Sequence, residues 1–353
     1  MDTLTHALSG ALFARATAPA APRPEDPPIW QRVTVCAAAA AFPDSDVVIS
    51  FFSSYAYLLH HRGVTHSLLM APLWALLLAG LAALCFRQPG AWRTYAGVAA
   101  LGIVAHILGD LITSFGTLIY APFSDARVAW GTTFIIDLWF SGIILAGLAG
   151  SLYWKGSRRA AIIASLILFS YVGLQALWRS QALDFGEQYA REKGITAAQV
   201  SVQPAAVSPL NWMVMVEKDG DYRYAFVNLK RQEIAADPGP EGGFFAKLDA
   251  PFNPLATAIW NKARLMGNSP EDALLVRSAW MSPEMAFFRW FAQYPSLLRV
   301  ERGNPSECVW FQDLRFVRPG TSFNAFRFGV CRAPGGAWQR YRLSGEAERE
   351  RFD

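Results

Sequence analysis

Residues 60–86 read HHRGVTHSLLMAPLWALLLAGLAALCF. The stretch Leu68–Phe86 within it carries no charge, and about 20 apolar residues suffice to cross a bilayer. The eight residues before it hold His60, His61 and His66, three of the five histidines in the chain. The other two are His6 and His106, so the whole C-terminal part lacks histidine. Imidazole is the commonest metal ligand and the usual proton carrier near neutral pH. Histidines confined to the chain's first third, each near an Asp or another His, point to one site in one membrane domain.

Composition divides the chain the same way. Of 353 residues, 53% are hydrophobic and only 17% charged, against about 25% in an ordinary soluble protein. Residues 1–178 carry ten Lys/Arg and eight Asp/Glu, and residues 179–353 carry 22 and 20. A transmembrane helical domain over 1–180 and a soluble α+β domain over 181–353 follow. The net charge of +4 is spread thinly and gives no case for nucleic-acid binding. The start lacks the positive n-region of a signal peptide, so Leu4–Ala18 reads as a short retained helix.

Further membrane segments read as Arg32–Phe52, Thr94–Tyr120, Thr133–Trp154 and Arg159–Trp178, the first broken by Phe42-Pro43-Asp44-Ser45-Asp46. Lys and Arg in short loops set orientation. Arg15, Arg23 and Arg32, then Arg87 and Arg93, then Lys155, Arg158 and Arg159 occupy alternate connections. This puts the N-terminus, residues 53–67 and 121–132 and the C-terminal half outside the cytoplasm, in a multi-pass protein of a bacterial-type inner (cytoplasmic) membrane.

In the soluble half, Gln199–Ala205, Trp212–Glu217, Tyr222–Leu229, Leu297–Arg302, Cys308–Phe316, Phe323–Cys331 and Trp338–Leu343 read as strands. Asp219-Gly220 marks a hairpin, and Pro254–Met266 and Pro283–Tyr294 read as helices. This domain has no clustered catalytic acids and reads as a lid, a docking surface or a partner site. Cys308 and Cys331 can pair in an oxidising compartment or stay as buried thiols.

Ionisable groups inside a membrane usually mark function. His106 and Asp110 stand at i and i+4 on one helix face, with Thr113 one turn on. His61 and His66 straddle Gly63, and on an extended stretch Asp44 and Asp46 would point the same way. Thr65 is placed to cap a helix starting at Ser67. His6, Asp44, His61, His66, His106 and Asp110 form the candidate metal-ligand set. Such ligands suit zinc, with manganese or iron as second choices, and two metals can activate a water against a phosphoester. Asp46 or Asp137 is then the base or a further ligand, and Arg62 the cation for a phosphate. His60 reads as a bystander.

Met1-Asp2-x-x-Thr5-His6, Phe42-Pro43-Asp44-x-Asp46, His61-Arg62-Gly63-x-Thr65-His66-Ser67 and His106-x-x-x-Asp110-x-x-Thr113 together resemble the LexA-regulated, membrane-bound, metal-dependent hydrolase family. The resemblance covers about residues 1–180. It implies hydrolysis and a distant likeness to zinc-dependent phospholipase C and P1-type nucleases, helical enzymes with a three-zinc site. By that likeness His106-x-x-x-Asp110 is the bridging segment, Asp44 or Asp46 binds metal or serves as base, and the fold is a phospholipase C/P1 nuclease-like helical core. Those enzymes also carry ligands on a later helix; here no His follows position 106, and Asp137 is the acid available in that role. The expected protein is a membrane hydrolase with two metals, cleaving a phosphoester of a lipid or lipid-linked substrate. A transporter or assembly factor with a structural metal, and a metal-dependent lipid amidase or esterase, are the alternatives.

Overall fold

The computed structural model describes residues 1–353 except 155–156, 240, 304–305, 320–323, 334, 346–347 and 353. Lys155, one of the orienting charges, and Phe323, the expected start of a strand, lie outside the described residues. The chain forms two units, Met1–Leu177 and Trp178–Asp353.

The first unit is helical. Helix α1 (Thr3–Ala16) starts at Asp2, whose carboxylate accepts from the Thr5 backbone N–H and hydroxyl. Helix α2 (Ile29–Ala41) runs into a 3-10 helix, Phe42–Phe51. Helix α3 (Ser54–His60) is capped by Ser53, and a 3-10 turn at Val64–His66 leads to α4 (Ala71–Cys85). Helix α5 (Trp92–Leu111) follows, then an irregular stretch, α6 (Leu138–Tyr153) and the 35-residue α7 (Arg158–Glu192), which belongs to this unit as far as Leu177 and to the second from Trp178.

Small residues bring these helices together. A Cβ on Gly10 of α1 would lie 2.6 Å from the Cys36 carbonyl oxygen, and one on Gly102 of α5 would lie 2.4 Å from the same atom. Both helices therefore meet α2 at backbone contact, the packing that association in lipid favours. Helix α4 buries Ala71, Ala75, Ala79, Ala82 and Ala83, while Leu73, Leu76, Leu77, Leu81 and Leu84 are 46–75% exposed. A helix in water would bury the leucines; the inverted pattern suits a helix whose outer face meets acyl chains.

Among the described residues, three helical stretches are long and apolar enough to cross a membrane: Ile29–Phe51, Pro89–Leu111 and Arg158–Glu192. A fourth is counted if Ser54–His66 and Ala71–Cys85, bent by 78°, act as one span. The expected span Thr94–Tyr120 is cut short, because α5 ends at Leu111. There the backbone N–H groups of Trp130, Thr132 and Thr133 return to the carbonyls of Leu111 and Ile112. Those bonds satisfy the helix end and make 112–137 a folded-back loop.

The second unit is sheet-rich. Strands β1 (Gln199–Pro204), β2 (Asn211–Lys218) and β3 (Asp221–Asn228) form an antiparallel meander. The β2–β3 hairpin turns at Asp219 and Gly220, both with positive φ, as a type I′ turn requires. Helix α8 (Phe244–Asp249) precedes β4 (Asn253–Pro254), which pairs with β3 in parallel. Strand β5 (Trp260–Arg264) pairs with β3 antiparallel, where a helix over Pro254–Met266 was expected. The reason is tertiary: Trp260 sits opposite Ala225 and stacks on Tyr189 at 3.6 Å, a pairing and a ring contact that a helix would forfeit. Helix α9 (Ala273–Met281) was not expected, and the helix expected over Pro283–Tyr294 is a 3-10 turn followed by α10 (Ala286–Phe291). A second meander holds β6 (Pro295–Arg302), β7 (Glu307–Asp313), β8 (Arg327–Arg332), β9 (Gln339–Leu343) and β10 (Arg349–Arg351). Phe287 and Phe288 cover Phe328 of this sheet at 5.1 and 5.4 Å. Cys308 and Cys331 lie directly opposite on β7 and β8 and are joined as a disulfide.

Candidate metal centre

The centre starts from Pro43. After Ala41 the backbone tightens to a 3-10 helix, in which each carbonyl looks for the N–H three residues on. For Ala40 that residue is Pro43, which has none. The Ala40 carbonyl instead accepts from His106 Nδ1 at 2.6 Å. With its proton held on Nδ1, His106 presents the Nε2 lone pair, an arrangement usual for a metal-binding imidazole.

His66 is held alike. Its Nδ1 lies 3.0 Å from the Thr65 hydroxyl, and its Nε2 is buried. The Thr65 hydroxyl thus serves His66, and the Ser67 hydroxyl, not Thr65, accepts from the first N–H groups before α4. Asp110, one turn beyond His106, directs Oδ2 between the two imidazoles, 3.4 Å from each Nε2. His66 Nε2, His106 Nε2 and Asp110 Oδ2 are all buried without a hydrogen-bond partner among the described residues. Leaving one buried polar atom unpaired costs about 1–3 kcal/mol, so three facing one another call for a shared cation.

Asp44 supplies a fourth atom. Its Oδ2 accepts from the Thr3 hydroxyl at 2.6 Å, and its Oδ1 lies 3.6 Å from His66 Nε2 and 3.7 Å from His106 Nε2. Donors in a tetrahedron with metal bonds of about 2.1 Å stand about 3.4 Å apart. The four His–Asp edges, 3.4, 3.4, 3.6 and 3.7 Å, are close to that figure, and among the described residues His66, His106 and Asp110 form one group able to hold an ion.

The remaining expected residues fall into distinct places. His6 stacks on His106, with ring centroids 3.7 Å apart, and its Nε2 is 3.2 Å from Asp110 Oδ1; His6, Asp44 and His106 form a second group able to hold an ion. His61 turns Nδ1 to both oxygens of Asp46, at 3.0 and 3.2 Å, away from the four-atom set. Asp44 and Asp46 do not point the same way, because a 3-10 helix rather than an extended stretch carries them. Asp46 also accepts from the Arg62 backbone N–H.

Arg62 is buried, with Nη2 2.9 Å from Asp110 Oδ1 and Nη1 donating to Thr113 Oγ1. Its backbone is left-handed, φ 59°, so Arg62 rather than Gly63 takes the strained position of the turn. Gly63 is needed for space, since a Cβ there would lie 2.6 Å from the His60 carbonyl oxygen. Asp137 is elsewhere in the unit. It caps α6 at Phe140 N and accepts from Tyr171 and Gln175. His60 is exposed.

Sequence reasoning missed three supporting groups: the Ala40 carbonyl, Thr3 and the Met1 amine, which donates to Asp110 Oδ1. Only the proline carried a usable signal, as a residue without an N–H placed directly before Asp44 and three residues before Asp46.

The profile of the family described as YdjM inner membrane protein matches residues 1–182, just over half of the chain. A Bacillus subtilis (strain 168) protein, described as "Uncharacterized protein YfhP", is 26% identical over 174 residues, covering 49% of this chain and 52% of its own length. This chain therefore spans about half of that relative. No solved structure matches.

Proposed function

The chain belongs to the YdjM inner membrane protein family, and we propose, from the geometry of its buried His and Asp residues, that it is a membrane-embedded, metal-dependent hydrolase acting on a phosphoester of a lipid or lipid-linked substrate. The observation that carries the reading is the convergence of three unpaired buried atoms, His66 Nε2, His106 Nε2 and Asp110 Oδ2, with Asp44 Oδ1 3.6 and 3.7 Å from the two imidazoles. Two imidazoles and two carboxylates suit zinc first, and manganese or iron after it. A divalent ion bound there would polarise a phosphoryl oxygen and acidify a water.

The chain's own residues supply the rest. Thr3, Thr65 and the Ala40 carbonyl fix three of the four ligands. Asp46 holds His61 by Nδ1, leaving Nε2 to take a proton; His61 has the most exposed of the cluster's four imidazoles, 18% against 0–1%. An amphiphilic substrate fits a centre whose ligands stand on apolar helices with outward-facing leucines. The Cys308–Cys331 pair and the arginines at 87, 93, 158 and 159 support a C-terminal domain outside the cytoplasm.

The test uses the full chain in lipid nanodiscs with headgroup-labelled phospholipids. Release of a phosphorylated headgroup that stops with a chelator and in Asp110→Asn supports the reading. Release of fatty acid would mean an amidase or esterase. Bound metal with no turnover across lipid classes would leave a structural metal in a transporter or assembly factor.

A further inference from the structure

Resting on the metal reading above, we propose that the centre takes one divalent cation, on His66, His106 and Asp110 with Asp44 beside the two imidazoles, and that the Arg62 guanidinium stands where the second cation of a two-metal site would sit. This differs from the pair of metals expected from the ligand count.

Two observations carry it. The first is the lone-pair count at His106. The two groups among the described residues able to hold an ion, His66–His106–Asp110 and His6–Asp44–His106, both draw on this imidazole. Its Nδ1 is committed to the Ala40 carbonyl, so one nitrogen is left. One lone pair serves one ion, and the two groups are alternatives. Between them, the first holds all three of the unpaired buried ligand atoms.

The second observation is the occupation of Asp110. A carboxylate bridges two metals by giving one oxygen to each. Here Oδ2 faces the imidazoles, while Oδ1 already meets Arg62 Nη2 at 2.9 Å, His6 Nε2 at 3.2 Å and the Met1 amine. Arg62 is anchored for this. Thr113 accepts from its other terminal nitrogen, Asp46 accepts from its backbone N–H, and the Phe115 ring lies 4.9 Å from the guanidinium carbon. A guanidinium keeps its charge at any working pH, so a second dication on Oδ1 would face a fixed positive charge. Arg62 supplies charge compensation without coordination, and His6 becomes a packing and hydrogen-bonding partner of Asp110.

The experiment is metal stoichiometry, measured by elemental analysis on full-length protein in nanodiscs after loading with excess Zn²⁺ and desalting. Wild type is expected to retain one equivalent. Two equivalents would overturn this inference and leave the hydrolase reading standing, whereas no retained metal would end that reading. His6→Ala is expected to retain one equivalent, with affinity within about threefold of wild type; loss of the ion would make His6 a ligand and refute the assignment. Arg62→Gln frees Asp110 Oδ1 and is expected to take up a second, weaker equivalent that Arg62→Lys does not. A folded Arg62→Gln protein that stays at one would remove Arg62 from the account. If that variant does not fold, the wild-type and His6→Ala counts still decide the matter.

Discussion

Replacing Gly102 with Ala tests how far helix packing controls the metal centre. A Cβ at this position would meet the Cys36 carbonyl oxygen at 2.4 Å, and Ala39 Cβ and Ala40 N at 3.0 Å. Two of these three neighbours are backbone atoms of α2, and no rotamer change can move them. Ordinary contact begins near 3.4 Å, so α5 must retreat from α2 by about 1 Å. His106 lies four residues along the same face, and its 2.6 Å bond to the Ala40 carbonyl moves with the helix. A retreat of that size stretches the bond to about 3.6 Å, beyond a real hydrogen bond. Overpacking costs about 1–3 kcal/mol, partly offset by the roughly 1 kcal/mol that Ala gains over Gly in a helix. Loss of the carbonyl partner of a metal-binding imidazole lowers affinity about 10–100-fold. Zinc affinity, measured by competition against a chromophoric chelator, should therefore fall at least tenfold in Gly102→Ala. Gly97→Ala is the control: it lies on the same helix with nothing within 4 Å of its Cβ, and its affinity should be unchanged. Wild-type affinity in Gly102→Ala would refute the link between packing and ligand orientation.

Three further outcomes are expected. Pro43→Ala restores an N–H that competes for the Ala40 carbonyl, so zinc affinity should drop about tenfold while the metal-free protein melts no lower than wild type; unchanged affinity would contradict the role given to the proline. Asp137→Ala removes the α6 cap and the acceptor of Tyr171 and Gln175, and should cost about 1–3 kcal/mol of stability with metal content intact; loss of metal would return Asp137 to the centre. Breaking the disulfide with Cys308→Ser and Cys331→Ser opens a loop with a separation of 23 residues and should cost about 3 kcal/mol. Maleimide labelling of both thiols in unreduced wild-type protein would argue against an oxidising compartment.

The helices were legible because apolar runs of nearly 20 residues have few other readings, and the β2–β3 turn because Asp219-Gly220 tolerates positive φ at both positions. His106 and Asp110 were legible as a pair because helical spacing alone puts them on one face. The division of the acids was not. Asp44 and Asp46 separate because Pro43 opens a 3-10 helix, and sequence periodicity does not register that tightening. The sequence put Arg62 in the site as the cation for a phosphate but did not show that it pairs with Asp110: a left-handed non-glycine residue is held by its partners Asp46, Asp110 and Thr113, which come from other segments. The missed β5 has the same origin, since the half-buried Trp260 stacks on Tyr189 from a helix some 70 residues earlier.

X-ray absorption at the zinc edge of loaded wild-type protein tests the central claim most directly. The account predicts four nitrogen or oxygen neighbours at about 2.0–2.1 Å, with the outer-shell scattering of two imidazoles, and loss of one imidazole in His66→Ala and in His106→Ala. A six-oxygen shell, a sulfur neighbour, or a spectrum unchanged by both substitutions would contradict it.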